Sequence, residues 1–142
     1  MKIAIVSALL LALGHAGIAS ANCINFYTTI ASSQGPTLSW VNRNQGTTLE
    51  VGVISPNAQW WLGYADSSKT MYTIRVRGAD DQTVLNTVNM NNAGTKVIGQ
   101  TGILSGRGLA ISKNSKIYTY SANDKHLYQL NSATGAATSR GN

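Results

Sequence analysis

Leu85-Asn86-Thr87-Val88-Asn89, a Gly94 turn, Thr95-Lys96-Val97-Ile98-Gly99, then Arg107-Gly108-Leu109-Ala110 and Ile117-Tyr118-Thr119-Tyr120 decide the fold, because the chain on both sides repeats parts of this stretch. Upstream, Leu38-Ser39-Trp40-Val41-Asn42 precedes a Gly46 turn and a short strand closing on Gly52. Downstream, Leu127-Tyr128-Gln129-Leu130-Asn131 precedes a Gly135 turn and closes on Gly141. Each copy has an apolar residue, a second one three positions on, an Asn, a Gly-containing turn, a Thr-bearing strand and a final Gly. Leu38, Leu85 and Leu127 are spaced 47 and then 42 residues apart, and a period of roughly 40–50 residues is that of four-stranded propeller blades.

Between the copies lies a second pair of strands. Leu62-Gly63-Tyr64-Ala65 leads to Met71-Tyr72-Thr73-Ile74, and Arg107-Gly108-Leu109-Ala110 leads to Ile117-Tyr118-Thr119-Tyr120. Helical periodicity is absent after Ala21. Short runs rich in Val, Ile, Thr, Tyr and Trp alternate instead with Gly, Asn, Ser and Asp clusters, the all-β pattern. Strands are expected at Phe26–Ile30, Leu38–Asn42, Thr48–Val53, Trp61–Ala65, Met71–Arg75, Val84–Asn89, Thr95–Gly99, Gly108–Ser112, Lys116–Tyr120, Leu127–Asn131 and Ala136–Ser139. Gly46, Gly94 and Gly135 are expected to supply the positive φ of the hairpin turns, where a Cβ costs energy.

These repeats resemble the secreted β-propeller repeats of the NHL, YVTN and lactonase-like families. The residues that carry the resemblance are Gly63-Tyr64-Ala65 and Gly108-Leu109-Ala110 on inner strands, Met71-Tyr72 and Ile117-Tyr118 on second strands, and Leu127-Tyr128-Gln129-Leu130-Asn131 before Thr134-Gly135. The resemblance implies an all-β, partial β-propeller of about two and three-quarter four-stranded blades, with blade parts at 26–53, 61–99 and 108–141. Closed propellers have roughly 4–8 blades, so the expectation is a piece of a larger ring or a chain that closes by assembling copies of itself. A β-sandwich of about ten strands is the alternative.

The first residues carry a different signal. Met1-Lys2 supplies a positive start, Ile3–Leu13 is apolar, and Ala19-Ser20-Ala21 has the small-x-small form of a cleavage site. Residues 1–21 therefore read as a secretory signal peptide, too short for a membrane span, leaving 22–142 as an extracellular or periplasmic domain. Cys23 is the one cysteine, so an internal disulfide is excluded and a free thiol or an intermolecular bridge remains. The chain has 11 Lys and Arg against 5 Asp and Glu, a net charge of +6. The basic residues are scattered, which argues against a nucleic-acid partner.

Chemistry-bearing residues collect in the loops entering inner strands (Ile54–Trp61, Gln100–Arg107) and joining second to third strands (Val76–Thr83, Ser121–His126). Trp60, Trp61, Arg77, Arg107 and His126 are the candidate ligand-binding residues. Adjacent residues of a strand face opposite ways, so one of Trp60 and Trp61 is expected to meet a ligand unless one packs between blades and the other plugs the channel. Arg107 aligns with Leu62 and so departs from the repeat. Asp80-Asp81 lacks the spaced acids of a calcium loop. His126 is the one histidine after the leader, too few for a zinc site. Ser121, Asp124 and His126 do not have the spacing of a known triad, and Gly-x-Ser-x-Gly is missing. Two facing carboxylates for glycoside hydrolysis would have to come from Glu50, Asp66, Asp80, Asp81 and Asp124. With no catalytic residues, metal or cofactor indicated, the first expectation is a secreted, non-enzymatic binding or scaffold module for a carbohydrate or protein ligand at an envelope or extracellular surface, and a homo-oligomer if the chain is complete. The alternatives are a fragment of a lactonase-like or quinoprotein-like propeller enzyme, and a filament subunit.

Overall fold

The computed structural model describes residues 26–42, 45–54, 59–65 and 68–141. The expected leader at 1–21, Cys23 and Asp66 lie outside these residues, as do the side chains of Gln59 and Trp60. Eleven strands form, and no helix occurs among the described residues. They are β1 (Phe26–Ser32), β2 (Gly35–Asn42), β3 (Thr47–Val53), β4 (Gln59–Ala65), β5 (Thr70–Val76), β6 (Gln82–Val88), β7 (Thr95–Leu104), β8 (Gly106–Ile111), β9 (Ile117–Ser121), β10 (Leu127–Leu130) and β11 (Ala137–Gly141).

The strands make three antiparallel meanders in chain order: β1-β2-β3, β4-β5-β6-β7 and β8-β9-β10-β11. The inner strands β4 and β8 pack on each other, β5 packs on β8, and β1 packs on β4. Burial identifies the stacking. The centres of β5 (Met71, Tyr72, Thr73, Ile74) and β6 (Thr83, Val84, Leu85, Asn86) are buried at consecutive residues, so both faces of the middle sheet are covered. In β9 burial alternates, with Ile117, Thr119 and Ser121 inside and Tyr120 out, so the third sheet is covered on one face only. Three antiparallel sheets with a doubly covered middle layer are the arrangement expected of a partial β-propeller, and the all-β pairing is also consistent with a β-sandwich.

One core fills each inter-sheet space. Leu38, Ile54, Met71, Val88 and Ala93 pack between the first and second sheets, with Tyr27, Val51 and Leu62 against them. Tyr72, Ile74, Leu85, Ile103, Leu109, Ile117 and Leu130 pack between the second and third, with Trp61 and Ile98. Leu38 and Leu85 are fully buried, each contributing roughly 1.5–3 kcal/mol by transfer from water.

The repeat continues down to backbone detail. Leu38 pairs with Gly52, Leu85 with Gly99 and Leu127 with Gly141, and each ladder slips by one residue immediately after that Leu. In the hairpin turns the left-handed residue is Gly46 (φ 63) and Gly135 (φ 80), but Ala93 (φ 59) in the second sheet. The expectation for Gly94 is thus corrected by one position. The reason is spacing from the capping Asn: the N–H of Ala93 donates to the Asn89 carbonyl as that of Gly135 does to Asn131.

The passage from outer strand to the next inner strand turns on Ser105 (φ 49). It is fastened to both sheets. Ser105 N–H donates to the Asp81 carbonyl, Gly106 N–H to Thr83 Oγ1 at 2.8 Å, and Ser121 Oγ to the Leu104 carbonyl at 3.1 Å. Thr101 Oγ1 donates to the Thr83 carbonyl at 2.9 Å. These side-chain bonds satisfy backbone groups that the break in the ladder would otherwise leave buried and unmade.

Candidate functional site

The two adjacent inner strands place Trp61 beside Arg107. Thr73 Oγ1 on β5 donates to the Trp61 carbonyl at 2.8 Å, and Thr119 Oγ1 on β9 donates to the Gly108 carbonyl at 2.9 Å. Ile74, next after Thr73, pairs with Trp61, and Tyr120, next after Thr119, pairs with Arg107. Arg107 therefore stands in the third sheet where Trp61 stands in the second, which corrects its alignment with Leu62. The cause is an extra residue: Gly108 and Leu109 together oppose Thr119 where Leu62 alone opposes Thr73, and Gly108 takes a left-handed φ of 67 to absorb it. The Arg107 guanidinium carbon lies 5.7 Å from the centroid of the half-buried Trp61 ring, within cation–π range. With Trp61 packed against the core between the second and third sheets and the exposed guanidinium over its ring, the pair can offer a flat or sugar-like ligand an apolar edge and hydrogen-bond donors for its oxygens.

Arg77 and His126 lie at the same end of the strands as Trp61 and Arg107, in the β5–β6 and β9–β10 loops, and each is engaged within its own loop. Arg77 forms a forked ion pair with Asp80 through Nε and Nη2. That donor pair holds the exposed Asp80 carboxyl below its ordinary value. His126 Nδ1 lies 4.0 Å from Asp124 Oδ2, and Tyr128 Oη donates to the same oxygen at 2.5 Å. The Tyr128 hydrogen bond lowers the Asp124 pKa, and the carboxylate in turn raises that of Tyr128.

Tyr128 escaped sequence reading because it reads as a plain strand residue of the repeat. Its place across the turn from Asp124 at i, i+4 was the available signal.

The Ser121, Asp124 and His126 set does not form a relay. Ser121 is buried, its hydroxyl donates to the Leu104 carbonyl, and its oxygen accepts the Asp124 N–H. Glu50 lies on β3, in the outer part of the first sheet. No group of three or more His, Cys, Asp and Glu residues that could hold a metal is present among the described residues. An open cleft of about 440 Å³, lined by Thr87, Asn89, Asn92 and Lys96 among others, lies at the opposite end of the strands from Trp61 and Arg107. No helix among the described residues is long and apolar enough to cross a membrane.

No protein-family model matches the chain, and no curated protein matches it either. Among solved structures it is similar to a Bacteroides fragilis protein described as a "putative 6-phosphogluconolactonase", at 15% identity and a TM-score of 0.51, covering 80% of this chain and 34% of that one. At that identity the likeness is one of fold. The chain spans about a third of the protein it matches. The match overturns the expectation of a non-enzymatic binding or scaffold module: the fold shared is that of a protein described as a lactonase, and the enzyme-fragment alternative fits it better.

Proposed function

We propose that this chain is part of a lactonase-like β-propeller, built of repeats of the NHL and YVTN type, and that the completed ring hydrolyses a sugar lactone. The observation that supports the reading is the superposition of the three stacked sheets on about a third of a protein described as a lactonase. In this reading the edge of Trp61 meets the apolar side of the lactone ring, and Arg107 donates to its carbonyl or to a pendant anionic group. Hydrolysis needs a base to activate water and donors at the developing oxyanion. The Trp61–Arg107 pair supplies binding and one donor. The leader at 1–21 would export the protein, so the proposed substrate is met outside the cytoplasm.

The test is lactone ring opening, followed by acid release, with the assembled protein and a panel of phosphorylated and plain sugar lactones. Hydrolysis is expected, with Trp61→Ala and Arg107→Ala each raising KM about tenfold or more, the loss of roughly 1.4 kcal/mol of binding. Absence of hydrolysis with every lactone, from protein shown to be folded and assembled, sinks the reading. So does hydrolysis that neither substitution alters.

A further inference from the structure

Each sheet carries the same three-residue row across its outer strands. The rows are Thr29–Leu38–Gly52, Ile74–Leu85–Gly99 and Tyr120–Leu127–Gly141, every neighbour paired in register. In the first two sheets the next sheet's hairpin turn covers the glycine. A Cβ placed on Gly52 would lie 3.1 Å from the Asn92 carbonyl oxygen and 3.4 Å from Ala93 Cβ, and one on Gly99 would strike the Thr134 carbonyl. Leu38 and Leu85 are accordingly at 0% exposure. In the third sheet Leu127 is 42% and Tyr120 41% exposed, and a Cβ on Gly141 meets nothing within 4 Å.

The mating half of this contact is also present and uncovered. The turn of the first sheet ends on Gly46, left-handed like Ala93 and Gly135. Its Asn42 Oδ1 accepts the Gln45 N–H as Asn131 Oδ1 accepts that of Thr134. A Cβ on Gly46 meets nothing within 4 Å. Among the described residues an inter-sheet contact is thus repeated twice, and both of its halves are also exposed, on opposite outer faces of the stack.

We propose that the exposed face of the third sheet docks a second copy of this chain, head to tail, the Gln45–Gly46 turn of that copy seating over Leu127 and Gly141 as Thr134–Gly135 seats over Gly99. The two surfaces differ, so the contact is heterologous and closes into a ring of a few copies when the rotation between sheets allows. The docking stands independently of lactone hydrolysis, because its readout is mass.

Light scattering after size exclusion on the purified chain tests it, with reductant present so that no bridge through Cys23 contributes. A discrete dimer or trimer is expected. Leu127→Asp on one face and Gly46→Asn on the other should each yield monomer with unchanged far-UV circular dichroism. Asn tolerates the left-handed conformation and places a side chain where the docked strand would lie. A wild-type chain that stays monomeric at tens of micromolar overturns the proposal, as does an oligomer that survives both substitutions. If Leu127→Asp unfolds the chain, Gly46→Asn decides alone.

Discussion

Gly99 on β7 and Gly135 in the β10–β11 turn stack backbone on backbone, each filling the space that a side chain on the other would need. A Cβ on Gly135 would lie 2.8 Å from the Gly99 carbonyl oxygen, and Gly135 also holds a φ of 80 that L-residues rarely adopt. Neither obstacle is the movable end of a side chain. Gly99→Ala and Gly135→Ala should each cost about 1–3 kcal/mol through overpacking, read as a lower urea midpoint. The double substitution should cost less than the sum, because both remove one contact. Gly46→Ala, left-handed but facing open space, should cost less than either in the monomer.

Thr83 joins the second sheet to the third through a hydroxyl that accepts the buried Gly106 N–H, while within its own sheet its carbonyl accepts from Thr101 Oγ1 on β7. Thr83→Val keeps the shape and removes the acceptor, leaving a buried donor unmade. The expected loss is about 1–3 kcal/mol. Thr83→Ser retains the acceptor, so urea unfolding should place it closer to wild type than Thr83→Val. A larger loss in Thr83→Ser than in Thr83→Val would assign the role to the methyl group, which lies 2.7 Å from the place of a Gly106 Cβ.

The repeat was legible because its period, its Leu-to-Gly ladder pairs and its Asn-capped turns are each written in adjacent residues. Leu38, Leu85 and Leu127 and the three final glycines pair in the structure as the stacked segments suggest. What escaped was register wherever one residue is inserted. Gly94 matched the turn by identity, yet Ala93 takes the left-handed position, because the backbone counts from Asn89 and not from the glycine. Arg107 aligned with Leu62 by the neighbouring Gly-x-Ala motif, yet the extra residue at Gly108–Leu109 moves it opposite Tyr120 and over Trp61. Pairings across a turn or between sheets, such as Asp124 with Tyr128 and Thr83 with Gly106, leave no periodic trace.

The Arg107–Trp61 contact predicts a measurable coupling. With Arg107 exposed and Trp61 half-buried, cation–π attraction is worth about 0.5–1 kcal/mol. A double-mutant cycle of Arg107→Met and Trp61→Leu, read by urea unfolding, should return a coupling of that size, declining little with salt. A coupling of zero would mean that the two side chains are neighbours without attraction, and would weaken their assignment as one binding unit.

Asp124 and Tyr128 predict a pH response with a definite sign. The Tyr128 hydrogen bond holds the Asp124 pKa below its ordinary 3.8, so the stabilisation is complete above that value and is lost as pH falls through the lowered one. The carboxylate holds the Tyr128 pKa above its ordinary 10.0, so that contribution is complete below 10.0 and is lost as pH rises through the raised value. Across neutral pH both are fully present. In Tyr128→Phe the first cause of the Asp124 shift disappears, and the Asp124 side-chain carboxyl carbon signal should titrate nearer 3.8 than in wild type. Asp80, lowered chiefly by its Arg77 hydrogen bond, serves as the internal reference and should not move. An Asp124 midpoint unchanged by Tyr128→Phe would shift the cause to the remaining neighbours, Ser121 and His126.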